Sequence, residues 1–380
     1  MVENLIELGD YVKILSGYAF KSSLFNENQE GMPLIRIRDV TTGIIKTFYN
    51  GDYPEQYIVK FGDLLITMDG EFKIKKWVGE DGLLNQRVCK IESASELLDT
   101  EYLLYLMPSI LKKIEDRTPF VTVKHLSVKD IQKEVVNLPS LNEQRKIVEI
   151  LHDTNNIIEK RQSQITALDE LTSTLFVNTL KGRLENVYLE DLIISTQNGM
   201  SRRGDDANGK IVLKLKNVKG NTINFEEINR IDLQEKEKEN YKLNVEDLLI
   251  VRVNGNPNYV GRSAVFTGFD EDVYFNDHII RTVVKNVNVG YLSFWLNSPL
   301  GVSEIQKNVK TSAGQYTISR DGLNKVKLRL PLQAIQDEFI DKKSVIDNQK
   351  RKLNESLEQM NILYNSLLQK AFKGELFQEQ

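Results

Sequence analysis

Residues 138–151 read LPSLNEQRKIVEIL, and residues 330–341 read LPLQAIQDEFID. After the proline, each stretch opens a run that contains neither Pro nor Gly, from residue 140 to 180 and from 332 to 372. Proline is tolerated in front of a helix but breaks its interior, and Ser140 with Glu143 fits a capping box at the first start. Each stretch therefore predicts the start of a long helix.

The two stretches belong to a repeat of the whole chain. With Pro139 aligned to Pro331, an offset of 192 residues, the match needs no gap from Leu126 and Ile318 onward. Further pairs keep the same order upstream: EYLLYLMPS (101–109) with GYLSFWLNS (290–298), NQRV (85–88) with NDHI (276–279), FGDLLIT (61–67) with VEDLLIV (245–251), IRIRDV (35–40) with LKLKNV (213–218), and LGDYV (8–12) with LEDLI (189–193). A repeat of this size predicts internal two-fold pseudosymmetry.

Each half begins with a segment of different composition from its helix. Short alternating runs such as PLIRIRDV and KIVLKLKNV predict half-exposed strands, and Asn-Gly and Asp-Gly turn signals separate them. We expect two mixed α/β (α+β) domains in tandem, at residues 1–139 and 184–331. The long helices are expected within 140–183 and 332–380.

The two predicted helices carry apolar residues at a coiled-coil spacing of about 3.5 residues. Each helix of roughly 40 residues measures about 60 Å and needs a partner for its apolar face, so we expect an antiparallel pair. Gly182 and Gly374 each follow a lysine and are predicted to end the helices. The predicted seam residues are Ile147, Leu151, Ile158, Ile165, Leu168, Leu175, Phe339, Ile346, Leu353, Leu357, Met360, Tyr364 and Leu367.

Composition excludes several classes of protein. The 380 residues have a net charge of −4, one Cys and three His, which disfavours a structural zinc site. No apolar run long enough to span a membrane occurs, and the start MVENLIELGDYVK does not resemble a secretory signal. A lone Cys89 fits a reducing cytoplasm.

The charge is unevenly distributed. Residues 200–220 hold six Lys/Arg against two Asp, and residues 307–329 hold six Lys/Arg against one Asp. Residues 232–247 are acidic, with six Asp/Glu against three Lys. Basic windows in an acidic chain suit a protein with a DNA face and protein-binding faces, although solvated surface explains such windows equally well.

Two stretches look catalytic and are better explained otherwise. NPNY (256–259) is similar to the Asn-Pro-Pro-Tyr motif of adenine methyltransferases, but the first half has no counterpart and no Gly-rich cofactor turn precedes it. EFK (71–73), after Asp63 and Asp69, fits a magnesium-dependent nuclease only weakly, because its counterpart NGNPNY lacks an acid. No phosphate-binding G-x-x-x-x-G-K-[ST] motif occurs. The sequence therefore indicates a recognition protein rather than an enzyme.

The duplicated plan resembles a known family. Each half of the chain has a predicted long helix that starts at an LP…EQ type of stretch and ends at Lys-Gly. This duplicated pattern resembles that of the specificity subunits of type I restriction-modification enzymes. The GDLL-type strand, the polar loop and the NQRV-type strand are similar to their target-recognition domains. The resemblance covers essentially the whole chain, although Ile335-Gln336 stands where the first copy has Glu143-Gln144.

The resemblance implies a non-catalytic DNA-binding subunit. Each α/β domain would bind one half of a bipartite, asymmetric DNA target, and the paired helices would fix the gap between the halves. The helices would also dock two methyltransferase subunits, and motor-nuclease subunits would join them. S-adenosylmethionine, ATP and magnesium would then bind to those partners, with no cofactor or metal on this chain.

Repeat position and residue type select candidate DNA contacts, since Arg, Asn, Gln and Lys read base edges and bind phosphates. The first domain contributes Arg36, Arg38, Lys73, Lys75, Lys76, Gln86, Arg87, Lys124 and His125. The second contributes Arg202, Arg203, Lys214, Lys216, Arg252, Asn254, Asn256, Asn258, Arg262, Gln315 and Tyr316.

Two other readings compete with a DNA-reading subunit. A coiled-coil scaffold that joins two protein-binding modules is favoured by the net charge of −4. A single-chain enzyme would methylate or cleave DNA unaided.

Overall fold

The structure is a computed structural model, and it describes residues 4–118, 124–312 and 314–377. The chain forms two compact units. Unit 1 comprises Met1–Ser163 with Asn354–Gln380, and unit 2 comprises Gln164–Leu353. Each unit therefore contains part of both long helices.

Unit 1 is built from short strands and three shorter helices before the first long helix. In chain order its elements are β1 Leu5–Glu7, β2 Val12–Ser16, β3 Phe25–Asn26, β4 Met32–Ile35, α1 Ile37–Thr42, β5 Phe48–Tyr49, β6 Ile58–Val59, β7 Leu64–Thr67, β8 Ile74–Lys76, β9 Gly82–Leu84, β10 Val88–Ser93, α2 Thr100–Arg117, α3 Val128–Gln132 and β11 Val135–Asn137. The long helix α4, Leu141–Thr179, follows and continues into unit 2.

Unit 2 repeats this layout. Its elements are β12 Leu184–Tyr188, α5 Leu189–Leu192, β13 Ile193–Asn198, β14 Lys210–Leu213, β15 Arg230–Ile231, α6 Glu235–Tyr241, β16 Leu248–Val251, β17 Val253–Asn254, β18 Ser263–Val265, β19 Val273–Phe275, β20 Ile279–Val284, α7 Val289–Asn297, α8 Pro299–Gln306, β21 Lys310–Ser312, β22 Gln315–Thr317, α9 Arg320–Asn324 and β23 Lys327–Pro331. The second long helix is α10, Gln333–Lys373, which begins in unit 2 and continues into unit 1.

The sheets confirm the internal repeat. A four-stranded antiparallel sheet has the order β2-β10-β7-β8 in unit 1 and β13-β20-β16-β18 in unit 2. A second sheet contains one parallel pair, β4 with β9 in unit 1 and β14 with β19 in unit 2. A two-stranded ribbon, β1-β11 or β12-β23, precedes each long helix. The predicted fold class, mixed α/β domains with two long helices, is confirmed.

The core of each unit joins the sheet to the helix that follows β10 or β20. In unit 1, α2 buries Tyr102, Leu103 and Leu106 against β7, β10 and the first turns of α4. In unit 2, α7 buries Tyr291 and Trp295 in the equivalent cluster. The long helices thus pack directly on the domains.

The starts of the two long helices use different caps. At α4, Ser140 Oγ and the Ser140 N–H both donate to Glu143 Oε2, at 2.7 and 2.9 Å, which is the predicted capping interaction. At α10, Leu332 replaces the serine and offers no side-chain cap; its carbonyl accepts the N–H groups of Ile335 and Gln336, as the Ser140 carbonyl accepts that of Gln144.

The predicted end of the second helix is correct and that of the first is not. Gly374 follows α10 with a φ of 73°, the left-handed conformation that favours glycine after a helix. The first helix ends at Thr179, three residues before Gly182. Its last turn tightens there, because the N–H groups of Leu180 and Lys181 donate to carbonyls three residues earlier.

The predicted seam positions are all at least half-buried. The buried ones are Ile147, Leu151, Ile165, Phe339, Ile346 and Leu353, and the half-buried ones are Ile158, Leu168, Leu175, Leu357, Met360, Tyr364 and Leu367. Antiparallel pairing is visible within unit 2, where Lys350 bonds to Asp169 and the ring of Phe339 lies 5.8 Å from that of Phe176.

Candidate nucleic-acid interface

A polar turn follows the parallel strand pair of unit 1. Strands β4 and β9 end side by side, and the next residues are Arg36 and Asn85. The Asn85 N–H donates to the last carbonyl of β4 at 3.4 Å. Asn85 itself is buried, and its Oδ1 accepts the N–H of Gln86 at 2.8 Å, so the turn leaves the side chain of Gln86 exposed. Residues 36 and 85–87 form what we call the polar edge of unit 1.

Unit 2 builds the same turn after β14 and β19. The residues that follow these strands are Lys214 and Asn276, and the Asn276 N–H donates to the last carbonyl of β14 at 3.0 Å. Asn276 is buried, and its Oδ1 accepts the N–H of His278 at 3.3 Å. Residues 214 and 276–278 form the polar edge of unit 2.

The same local bond fixes the first basic residue of each edge. The N–H of Arg36 donates to Asp39 Oδ2, and the N–H of Lys214 donates to Asn217 Oδ1, both at 2.9 Å. Each acceptor lies three residues downstream and is buried. IRIRDV and LKLKNV therefore do not continue as strands, as the alternation predicted, but turn into a short helix, α1, or a single helical turn.

Each edge is closed by a glycine that the sequence reasoning missed. A Cβ on Gly17 would lie 2.0 Å from the carbonyl oxygen of Asn85, and one on Gly199 would lie 2.3 Å from that of Asn276. Only glycine permits this approach, because backbone atoms cannot yield to a side chain. The signal was present in the sequence as Ser-Gly-Tyr and Asn-Gly-Met at matching places in the two halves.

Two further loops join the edge of each unit through backbone bonds. In unit 1, Met68 N–H donates to the Arg87 carbonyl at 3.0 Å and Leu126 N–H donates to the Met68 carbonyl at 2.8 Å. In unit 2, Arg252 makes the equivalent bonds: its N–H donates to the His278 carbonyl at 2.8 Å, and its carbonyl accepts the N–H of Ile318, the residue after β22, at 3.0 Å. The edge of unit 1 is therefore bordered by loops 68–73 and 124–126. The edge of unit 2 is bordered by loops 252–262 and 315–318.

An aspartate organises the edge of unit 1. Asp69 Oδ1 lies 2.6 Å from His125 Nδ1, and Asp69 Oδ2 lies 3.4 Å from Arg87 Nε. The adjacent Lys124 donates to the Glu115 carbonyl at 2.7 Å. Asp69 therefore brings together Arg87 and His125, two of the predicted contacts, whereas the Lys124 ammonium turns to Glu115.

An aspartate also organises the edge of unit 2, from a different position. Asp277 Oδ1 accepts from Arg203 Nη2 at 2.8 Å and lies 4.0 Å from His278 Nε2. The Arg203 Nη1 donates to the Ser201 carbonyl at 2.9 Å, and Arg252 Nη1 donates to the Asp277 carbonyl at 3.2 Å.

The asparagine-rich loop of unit 2 is internally bonded. Asn254 Oδ1 accepts the Asn256 N–H at 2.9 Å, and Asn256 Oδ1 accepts the Asn258 N–H at 3.0 Å. The guanidinium of Arg262 stacks 3.5 Å above the Tyr259 ring. NPNY is thus a helical turn of a polar loop, as the sequence analysis favoured.

The remaining candidates lie on neighbouring elements, mostly engaged by acids or amides. The pairs are Arg38 with Asp39, Lys73 with Glu71, Lys76 with Glu101, Arg202 with Glu237, Lys214 with Asn229, Lys216 with Glu227 and Gln306 with Asn258. Lys75 lies on β8, and Gln315 and Tyr316 lie on β22, paired with β17. The hydrogen bond from Arg202 lowers the pKa of Glu237, which keeps that pair ionised at neutral pH.

The described part of the chain shows neither a metal-binding cluster nor a membrane-spanning helix. Within residues 4–118, 124–312 and 314–377, no group of three or more His, Cys, Asp or Glu side chains is placed to hold a metal ion. None of the helices described is long and apolar enough to cross a membrane.

Comparisons with known proteins agree with this architecture. Residues 4–167 match the family model described as Type I restriction modification DNA specificity domain. The chain is 29% identical over 418 residues to the type I restriction enzyme EcoBI specificity subunit of Escherichia coli, covering 98% of this chain and 85% of that protein.

Solved structures share the fold over nearly the whole chain. The S subunit of a type I restriction-modification system from M. genitalium superposes with a TM-score of 0.59 at 12% identity, covering 97% of this chain and 96% of that one. A chain from a structural study of assembly and conformational transition of the type I R-M system gives 0.58 at 16% identity, with 98% of each chain covered. Over nearly its whole length the chain is therefore similar to specificity subunits of type I restriction enzymes, and it shares the fold of solved S subunits.

Proposed function

We propose that this chain recognises a bipartite, asymmetric DNA target, with one half-site read at the polar edge of each unit. The observation that carries the proposal is the repeated edge: a buried Asn, Asn85 or Asn276, beside a basic residue, Arg36 or Lys214, at the ends of a parallel strand pair. The two edges share the same hydrogen bonds at the strand ends, so both are expected to fit the same duplex geometry.

The side chains at equivalent positions of the two polar edges differ, as they must if the two units recognise different base sequences. Gln86 of unit 1 corresponds to Asp277 of unit 2, and Arg87 corresponds to His278. A glutamine suits adenine and an arginine suits guanine, whereas an aspartate and a histidine stand at those places in unit 2. The half-sites are therefore expected to differ in sequence.

We further propose that the two long helices fix the gap between the half-sites and dock the partners. The helices span 39 and 41 residues, and each contributes to both units. At 1.5 Å per residue such a helix measures about 60 Å. Two helices of related sequence provide two related surfaces, which suits two methyltransferase subunits. Motor-nuclease subunits complete the assembly.

The chemistry belongs to those partners in this proposal. S-adenosylmethionine binds to the methyltransferase subunits, and ATP and magnesium bind to the motor-nuclease subunits. Since genomic DNA is the target, the complex works in the cytoplasm.

The test is duplex binding by the chain in complex with its methyltransferase partner, at several salt concentrations. We expect tight binding to a duplex with both half-sites, weaker binding to either half alone, and an affinity that falls with salt as phosphate contacts release counterions. Changing the gap by one base pair should weaken binding, whereas changing the gap sequence should not. Absence of binding to every duplex at low salt would favour the protein scaffold instead.

A further inference from the structure

At or next to each polar edge, one aspartate lies within 4.0 Å of both an arginine and a histidine. The trios are Arg87, Asp69 and His125 in unit 1 and Arg203, Asp277 and His278 in unit 2. The repeat does not explain this coincidence. In the aligned halves, Asp277 corresponds to Gln86 rather than to Asp69, and Arg87 corresponds to His278. The two units therefore place the same three residue types at equivalent edges, from sequence positions that the repeat does not align.

The exposure of the two ion pairs is nearly equal. The side chain of Arg87 is 52% exposed and that of Asp69 is 23% exposed. The corresponding values are 54% for Arg203 and 27% for Asp277. In each unit the carboxylate is the more buried partner, and the arginine side chain remains about half exposed.

Each guanidinium keeps N–H groups that its contacts within the protein do not use, and these can bind a second group. A guanidinium has five N–H donors in a fixed plane. The ion pair of Arg87 involves Nε, which leaves the two terminal nitrogens toward solvent. Arg203 uses Nη2 for Asp277 and Nη1 for the carbonyls of Ser201 and Arg202, which leaves its Nε and one N–H of Nη2.

We propose that Arg87 and Arg203 each read a guanine in the major groove, and that Asp69 and Asp277 are positioning residues that hold these arginines in the reading geometry. The inference rests on the proposed function. Two parallel donors of an arginine match O6 and N7 of guanine, the commonest specific contact to a base. Fixing the side chain beforehand reduces the entropy lost on binding.

Two other roles fit the geometry less well. A phosphate contact gains from net positive charge, but an arginine paired with an aspartate has little. A purely structural ion pair is exemplified by Arg38, whose partner Asp39 is fully buried and whose Nη2 is also bonded to Thr47 at 2.9 Å. Asp69 and Asp277, by contrast, are themselves partly exposed, at 23% and 27%.

The test uses the complex with its methyltransferase partner and the target identified by methylation sequencing. In one half-site at a time, every guanine is replaced by 7-deazaguanine, which keeps the pairing and lacks N7. For the wild-type chain we expect each replacement to weaken binding about 5- to 150-fold. Arg87→Met should abolish that penalty in one half-site only, and Arg203→Met should abolish it in the other.

The matched controls are arginines paired with acids away from the edges. The control variant in unit 1 is Arg117→Met, because Arg117 is bonded to Glu134. The control variant in unit 2 is Arg230→Met, because Arg230 is bonded to Glu271. Both controls should keep the full penalty in both half-sites.

The positioning role has its own readout. Asp69→Asn and Asp277→Asn keep the arginine but weaken the ion pair, so each should reduce the 7-deazaguanine penalty in its own half-site by several-fold. The salt dependence of binding should not change. A merely structural aspartate would lower the thermal stability and leave the penalty intact.

Either of two results would overturn the inference while leaving the proposed function in place. One is a half-site in which 7-deazaguanine costs nothing. The other is a penalty that persists in both Arg→Met variants. Failure of the proposed function is a separate outcome, because unmodified duplexes would then show no dependence on two half-sites.

Discussion

Gln144 anchors the first long helix to unit 1, and its replacement is expected to release that helix. The side chain is fully buried. Its Oε1 accepts the Asp99 N–H at 2.8 Å, and its Nε2 donates to the Leu97 carbonyl at 2.8 Å and to the Pro139 carbonyl at 2.9 Å. The amide thus joins the start of α4 to the residue that caps α2.

Gln144→Leu keeps the approximate volume and removes all three bonds. One N–H and two carbonyl groups are then left buried without their partner, and each such group costs about 1–3 kcal/mol. Because the backbone can relax in part, we expect a loss of about 3–5 kcal/mol in the stability of unit 1. Gln144→Glu tests the donor role separately, since a carboxylate would face the carbonyls of Leu97 and Pro139.

Gln336 is the matched variant in unit 2. It is buried as well, accepts the Asn288 N–H at 3.0 Å and donates to the Pro331 carbonyl at 2.8 Å. With two such bonds in place of three, Gln336→Leu should cost less, about 2–4 kcal/mol.

The assay is denaturant unfolding of the full chain combined with native-state hydrogen exchange. Gln144→Leu should accelerate exchange of the Asp99 amide and leave the Asn288 amide protected, and Gln336→Leu should do the reverse. A loss below about 1 kcal/mol for both variants, with both amides still protected, would refute this account of the helix anchors.

Three further predictions concern single side chains. Glu246 lies at a φ of 73° where the repeat places a glycine in unit 1, so Glu246→Gly should raise the melting temperature of unit 2 by relieving about 1 kcal/mol of strain; a lower melting temperature would contradict this. The Tyr291 hydroxyl bonds to Thr179 at 2.7 Å, whereas the buried hydroxyl of Tyr102 has no partner among the residues described. Tyr291→Phe should therefore cost about 1 kcal/mol in denaturant unfolding and Tyr102→Phe nothing, and equal losses would be evidence against that contrast. Burial raises the pKa of the Cys89 thiol to about 12, so a thiol reagent at neutral pH should label the unfolded chain and spare the native one; rapid native labelling would show that the site opens.

The repeat and the long helices could be predicted because both are written in local patterns. Each long helix is marked by a proline followed by an uninterrupted run of helix-forming residues. Because this pattern occurs twice at a constant offset, it predicts two equivalent long helices. The register near the end of α4 was harder. Leu175 was placed in the seam and is half-buried, whereas the neighbouring Phe176 is buried among the rings of Tyr291, Phe294 and Phe339. The packing of aromatic side chains decided the register there.

The arrangement of the edges could be predicted only in part. Residue type selected Arg87, His125 and Arg203, but it gave no sign that Asp69 or Asp277 would hold them. These contacts join residues far apart in the chain, and the two units form them from positions that the repeat does not relate.

The alternation in IRIRDV and LKLKNV was also misleading. It predicted continued strands, whereas Asp39 and Asn217 each accept the N–H three residues upstream and end the strand. A side chain that bonds the local backbone competed successfully with the sheet.

The central claim is that each unit reads one half of a bipartite target. The most direct measurement is methylation sequencing of DNA from cells that carry this chain and the proposed methyltransferase partner, with the wild-type chain, Gln86→Ala and Asp277→Ala compared. We predict a motif of two specified segments around an unspecified gap, with Gln86→Ala relaxing one segment and Asp277→Ala relaxing the other. A continuous motif, or two variants that alter the same segment, would contradict the account.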